Sequence, residues 1–134
     1  MTPAGLITIP SELGAAETMN RLIAEVRAKG MTVFARIDHA AGATAAGLTL
    51  RPTELLIFGN PKGGTPPMQT AQTMGIDLPL KALVWQDEAG KTWLSYNDPV
   101  WLARRHGIDG ALESTICLMA GALHAITAKA VSAP

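Results

Sequence analysis

Lys81-Ala82-Leu83-Val84-Trp85-Gln86-Asp87-Glu88-Ala89-Gly90-Lys91-Thr92-Trp93-Leu94-Ser95-Tyr96-Asn97 reads as a β-hairpin contained in one stretch of chain. Two strand-like runs, Lys81 to Asp87 and Lys91 to Asn97, flank the loop Glu88-Ala89-Gly90. A three-residue loop of this kind needs one residue at positive φ, which glycine adopts without strain. Loop length fixes register, so Trp85 is expected opposite Trp93, Leu83 opposite Ser95 and Val84 opposite Leu94. Both faces of the hairpin then carry bulky apolar groups.

The segments before it add strands and one helix. Leu6 to Ile9 is a short apolar run ended by Pro10. Ser11 then reads as an N-cap for a helix whose apolar positions are Leu13, Ala16, Met19, Ile23 and Val26, with Gly30 as its stop. Thr32 to Asp38 alternates, with Val33, Ala35 and Ile37 on one face, and predicts a half-buried strand. Ala40 to Gly47 suits a short helix. Within Glu54 to Gly59, the unbroken Leu55-Leu56-Ile57-Phe58 predicts a strand covered on both faces. Asn60 to Thr65 reads as a turn, and Thr65-Pro66-Pro67 as the start of a helix running to about Met74.

After the hairpin, Asp98-Pro99 pairs an N-cap with a first-turn proline. Arg104, Arg105 and His106 then suit the negative end of that helix, and Gly107 closes it. The last segment, Asp109 to Ala130, carries Leu112, Ile116, Met119, Leu123, Ile126 and Ala130 at alternating spacings of four and three, an apolar seam on one long helix. The expected order is β-α-β4-α with an extra C-terminal helix. This is an α+β fold with successive strands neighbouring one another and helices on one face. No linker or repeat divides the chain, so residues 1–134 are expected to form a single domain, with a core over 5–108 and the C-terminal helix over 109–130.

Composition bounds the function. The 134 residues carry 11 basic and 11 acidic side chains, a balance without the electrostatic footprint of a nucleic-acid or anionic-membrane binder. Neither a nucleic acid nor a membrane is therefore expected as a partner, and no segment has the length and character of a membrane span. One cysteine, Cys117, cannot form an internal disulfide, and no secretory leader precedes the first strand, so the cytoplasm is the expected compartment. Charged residues are only 16% of the chain, against about a quarter in a typical soluble domain. That shortage and the C-terminal seam point to a homodimer that buries the C-terminal helix and the apolar sheet surface.

Several motifs run in order along this chain: Thr32-Val33-Phe34-Ala35-Arg36-Ile37-Asp38-His39-Ala40-Ala41, Leu50-Arg51-Pro52-Thr53-Glu54-Leu55-Leu56-Ile57-Phe58-Gly59-Asn60-Pro61-Lys62, Gly64-Thr65-Pro66, Met68-Gln69, Asp77-Leu78-Pro79-Leu80-Lys81 and Ser95-Tyr96-Asn97-Asp98-Pro99. In these the sequence resembles the uncharacterised bacterial family known as domain of unknown function three hundred and two, over most of residues 5 to 110. The resemblance implies a TATA-box-binding-protein-like fold, a curved antiparallel sheet with helices on one side. It implies no activity, and a shared fold is no argument for DNA binding.

Candidate site residues compete with plainer roles. Asp38-His39 offers a carboxylate beside an imidazole, but strand neighbours point to opposite faces, and Asp also caps the helix that follows. Asn60-Pro61-Lys62-Gly63-Gly64-Thr65 leads into a helix with glycines and one lysine. It reads either as an anion cradle of free N–H groups or as a simple turn. Tyr96 and Asn97 end a strand that runs in the same direction as the one ending at Asn60, so Asn60, Lys62, Tyr96 and Asn97 are expected in one polar cluster at one end of the sheet. The three tryptophans Trp85, Trp93 and Trp101 suit core or interface better than a stacked ligand. Cys117 reads as an inert core thiol. His39, His106, His124 and Cys117 lack ligand spacing, so no metal and no cofactor is expected. The function that follows is a homodimeric binding or interaction module. The alternative is an enzyme or small-ligand site built from Asp38, His39, Asn60, Lys62, Gly63, Gly64, Thr65, Tyr96 and Asn97.

Overall fold

The computed structural model describes residues 2–133. The hairpin consists of β4 (Leu80–Gln86) and β5 (Thr92–Asn97), paired Trp85 to Trp93, Val84 to Leu94 and Leu83 to Ser95, as the loop length dictates. Gly90 sits at φ +83°. Asp87 accepts the backbone N–H groups of Ala89 and Lys91, which closes the loop.

Three more strands complete a five-stranded antiparallel sheet: β1 (Leu6–Pro10), β2 (Thr32–Asp38) and β3 (Thr53–Gly59), in the order β1-β5-β4-β3-β2. The expectation that each strand neighbours the next holds for β2 to β5 and fails for β1, which pairs with β5 at the far edge. The connection between β1 and β2 is α1 (Ala15–Ala28), which crosses the whole sheet. That crossing covers one face: Met19, Leu22 and Val26 of α1 are fully buried against Leu56 and Phe58 of β3, Val84 of β4 and Leu94 of β5. Burial of this apolar set, at about 25 cal/mol per Å², is the main force holding the layers together.

Several local signals resolve differently from what spacing alone predicts. Ser11 does not cap α1. Its N–H is bonded to the Thr92 carbonyl, which continues the β1–β5 ladder, and its hydroxyl bonds that of Thr18. Gly14 takes the cap position and the helix starts later. In β2, Val33 pairs with Phe58 and Ala35 with Ile57, so Phe34 is an extra, bulged residue. A bulge breaks the alternation. Val33 packs on the core beneath the helices, while Ala35 and Ile37 pair with Ile57 and Leu55 of the uncovered face. That face leaves Leu55 and Ile57 half-buried, so β3 is covered on one side only.

The Gly-rich segment is helical. After α2 (His39–Ala45) and β3, α3 spans Pro61–Thr70, followed by a 3-10 segment at Gln72–Ile76. Asn60 and Pro61 act as cap and first helical residue, so Asn60-Pro61 outweighs Thr65-Pro66-Pro67 as the start signal. Pro66 and Pro67 lie inside the helix, which deprives the carbonyls of Lys62 and Gly63 of their helical donors. The helix α4 (Pro99–Arg105) begins as expected, with Asp98 accepting from Val100 N–H.

The last helix, α5, runs over Glu113–Ala130 after a 3-10 turn at Gly110–Leu112. Its seam is spent inside the chain. Leu123, Ile126 and Ala130 join the core under α1, and Ile116 joins a second cluster with Met74, Leu102, Ala103 and Ile108. Cys117, expected in the core, is exposed, because one residue along a helix turns the side chain about 100° away from buried Ile116.

Candidate functional site

Two cavities and one charged cluster hold the polar groups of interest. The first cavity, about 550 Å³, opens where the end of β3 meets α3 and α5. Five expected residues line it: Asn60, Lys62, Gly63, Gly64 and Thr65. The rest of the wall is chiefly apolar, with Met68, Leu78, Leu80 and Met119 inside and the bulged Phe34 and Leu118 at the mouth. Phe34 is 52% exposed and Leu118 76%. The bulge is what brings Phe34 here, a signal that alternation in the sequence conceals.

The start of α3 is not an open anion cradle. The Asn60 side chain accepts Lys62 N–H at 3.0 Å, and the Asn60 carbonyl accepts the N–H groups of Gly63 and Gly64 at 3.0 Å each. Pro61 has no N–H to offer. The donors that would cradle an anion are therefore taken by the cap itself. What remains at the rim is the Lys62 ammonium, which has no side-chain partner among the described residues.

Tyr96 and Asn97 do not join this group; they line a second cavity, of about 570 Å³, on the uncovered face of the sheet. The Tyr96 phenol itself is turned to the helix side beside Thr127, where burial pushes its pKa up. Asp38 and His39 line neither cavity. Because β2 runs antiparallel to β3, its C-terminal end lies at the opposite end of the sheet from Asn60. There Asp38 caps α2 by accepting Ala41 N–H at 2.9 Å. Asn60 and Asn97 do lie at the same end of the sheet, since Phe58 pairs with Leu80 and Ala82 with Tyr96, but strand direction says nothing about face, so the expected cluster divides between the two cavities, and Asp38 and His39 lie apart from both.

A third group leaves no signal in the sequence. His106 lies between Asp77 and Thr73, with Nε2 on the Asp77 carboxylate and Nδ1 2.8 Å from Thr73 Oγ1. Arg105 donates to both Asp77 oxygens at 2.9 Å. These bonds tie the 3-10 segment to the end of α4, and none of the four residues lines either cavity. Burial pushes the Asp77 carboxyl up, but the His106 hydrogen bond and the Arg105 charge outweigh it and hold the group below its usual range. A depressed folded-state value adds stability that is present above the unfolded-state value near pH 4 and is lost as pH falls through the folded value. Asp77→Asn is expected to cost about 1–2 kcal/mol at pH 7 and to flatten the fall in stability below about pH 5. Urea midpoints taken from pH 3 to 7 check this, and an unchanged slope in the variant refutes it.

Among the described residues, no three His, Cys, Asp or Glu side chains are grouped to hold a metal ion, and no helix is long and apolar enough to cross a membrane.

Comparison with known proteins adds the following. A family model described as "Domain of unknown function DUF302" matches residues 7–126, reaching well into α5. The chain is 51% identical over 117 residues to a protein of Brucella suis biovar 1 (strain 1330) named "Fluoride-specific ion channel FluC 1", covering 87% of this chain and 45% of that one. A protein of the same name from Brucella abortus biovar 1 (strain 9-941) matches at the same identity, with 43% of its length covered. The chain thus spans less than half the length of these curated relatives. The crystal structure of an uncharacterized conserved protein DUF302 from Bacillus stearothermophilus superposes with a TM-score of 0.84 at 22% identity, covering 96% of this chain and 99% of that one. At that identity the likeness is one of fold.

Proposed function

The chain belongs to the family of domains of unknown function DUF302, and from that premise we propose that it is a binding module for an apolar molecule with one anionic end. The observation that carries this reading is the 550 Å³ cavity beside α3, apolar inside and bearing the Lys62 ammonium as the sole charge on its wall. A chain of methylene groups gains about 0.8 kcal/mol for each one buried there, and an anionic head at the rim meets the Lys62 ammonium. Acid–base catalysis requires convergent titratable groups, and Lys62 is the only titratable side chain lining the cavity. That favours binding over an enzyme.

Two curated relatives, of whose length this chain spans less than half, are named as fluoride channels. A pore must cross the bilayer, and no helix of the described residues is long enough and apolar enough. This supports reading the shared segment as a module beside the pore. The cytoplasm is the compartment proposed, since the exposed, unpaired Cys117 thiol suits reducing conditions. Most of the α5 seam packs within the chain, so the binding reading is made for one copy and does not require the expected homodimer, which sedimentation at micromolar concentration tests.

Titration calorimetry with decanoate and decanol tests the proposal. Wild-type protein is expected to bind decanoate more tightly, and Lys62→Met to weaken decanoate about tenfold while leaving decanol unchanged. Failure of both ligands to bind at millimolar concentration refutes it.

A further inference from the structure

The second cavity lies on the face of the sheet that no helix covers, and nothing about it depends on the first. Its apolar wall is Leu6 of β1, Leu55 of β3, and Leu83 and Trp85 of β4. Alternation brings Lys81, Leu83 and Trp85 to this one face, since they occupy every second position of β4. The Trp85 indole is fixed from two sides. Its Nε1–H donates to Ser95 Oγ at 2.9 Å, and Ser95 Oγ is bonded to Thr8 Oγ1 at 2.8 Å. Its ring stacks on Trp93, with centroids 6.1 Å apart and planes inclined by 24°. Trp93 is itself held by donating to Asp87 Oδ2 at 2.9 Å.

A ring whose polar edge is satisfied and whose rotamer is locked has little freedom left to lose when a flat molecule lies against it. Lys81 is the one charged side chain lining the cavity. Among the described residues its ammonium hydrogen-bonds the Pro79 carbonyl, at 3.2 Å, and forms no ion pair, and no carboxylate lines the cavity, so the charge there is complementary to an anion. Along β4, Lys81 and Trp85 stand four residues apart, about 13 Å at strand rise. A two-ring aromatic acid bridges that span with the reach of a lysine side chain.

We propose that the open face of the sheet is a binding site for a planar aromatic carboxylate, whose ring lies against Trp85 and Leu83 and whose charge meets Lys81. The aliphatic ligand of the first cavity lacks the flat face this site offers. Nuclear magnetic resonance of the ¹⁵N-labelled full chain, titrated with 2-naphthoate, tests it. The chain has three tryptophans, so the Trp85 indole N–H is one of three resonances to follow. Saturable shifts are expected at that N–H and at the amides of Lys81 and Leu83. Lys81→Met is expected to weaken binding about tenfold, whereas Lys62→Met leaves it unaltered. The neutral 2-naphthamide is expected to bind wild type and Lys81→Met alike. Shifts confined to Gly63, Gly64 and Leu118 would place the ligand in the other cavity and overturn the proposal. So would the absence of saturable shifts up to millimolar ligand. Sedimentation as a dimer that shields the Lys81 and Leu83 amides would make a second copy the occupant and overturn the proposal as well.

Discussion

Phe58→Ala is expected to cost about 3–5 kcal/mol, the usual range for deleting a buried aromatic ring. Phe58 is fully buried on β3, paired with Val33 on one side and Leu80 on the other. It belongs to the core that also contains Met19 and Leu22 of α1. Both neighbouring strands are fixed by their ladders, so the backbone cannot collapse into the space the ring leaves, and much of the cavity persists. A domain of this size has about 5–15 kcal/mol in total, so the loss is a large fraction of it. Urea unfolding measures the effect. Phe58→Leu, which retains most of the volume, is expected to lose much less and to fold where the alanine variant fails. A loss below about 1 kcal/mol for Phe58→Ala would mean that the helix layer does not rest on this strand.

The second large effect is Leu123→Ala on α5, expected to cost about 2–5 kcal/mol. Leu123 is 1% exposed and packs in the cluster that holds Ile126, Ala130 and Val26. The contacts are made within one chain, so the thermal midpoints of wild type and variant are expected to be independent of protein concentration. Were the seam a subunit interface, dilution would lower the midpoint by mass action. Leu118→Ala, on the exposed side of the same helix, serves as control and is expected to stay within about 0.5 kcal/mol of wild type.

The hairpin is legible in the sequence because everything that determines it lies within it. The loop length and Gly90 set the register, and no distant group competes. Asp98-Pro99 is legible for the same reason, since the cap bonds an N–H two residues away. The order of motifs along residues 5 to 110 likewise carries the family likeness, and the family model matches residues 7–126. The candidate site is legible only in part. Asn60 to Thr65 do gather at one cavity, but the carbonyl and side chain of Asn60 consume the donors that make the segment resemble an anion cradle. Asp38 takes the capping role that its place before a helix allows, and its distance from Asn60 follows from the antiparallel pairing of β2 with β3.

Sequence alone determined the elements and most of their order, because apolar period, caps and turn residues act over a few positions and leave their mark in the chain. Tertiary structure alone decided four things. It placed β1 beside β5 instead of β2, since α1 buries its apolar face only by crossing the sheet. It kept Ser11 in the ladder, because the Thr92 carbonyl claims its N–H. It inserted the bulge that sends Phe34 to the first cavity. And it joined Asp77 to His106 across 29 positions of sequence. Each of these is settled by a partner far along the chain, and spacing within a segment carries no record of it.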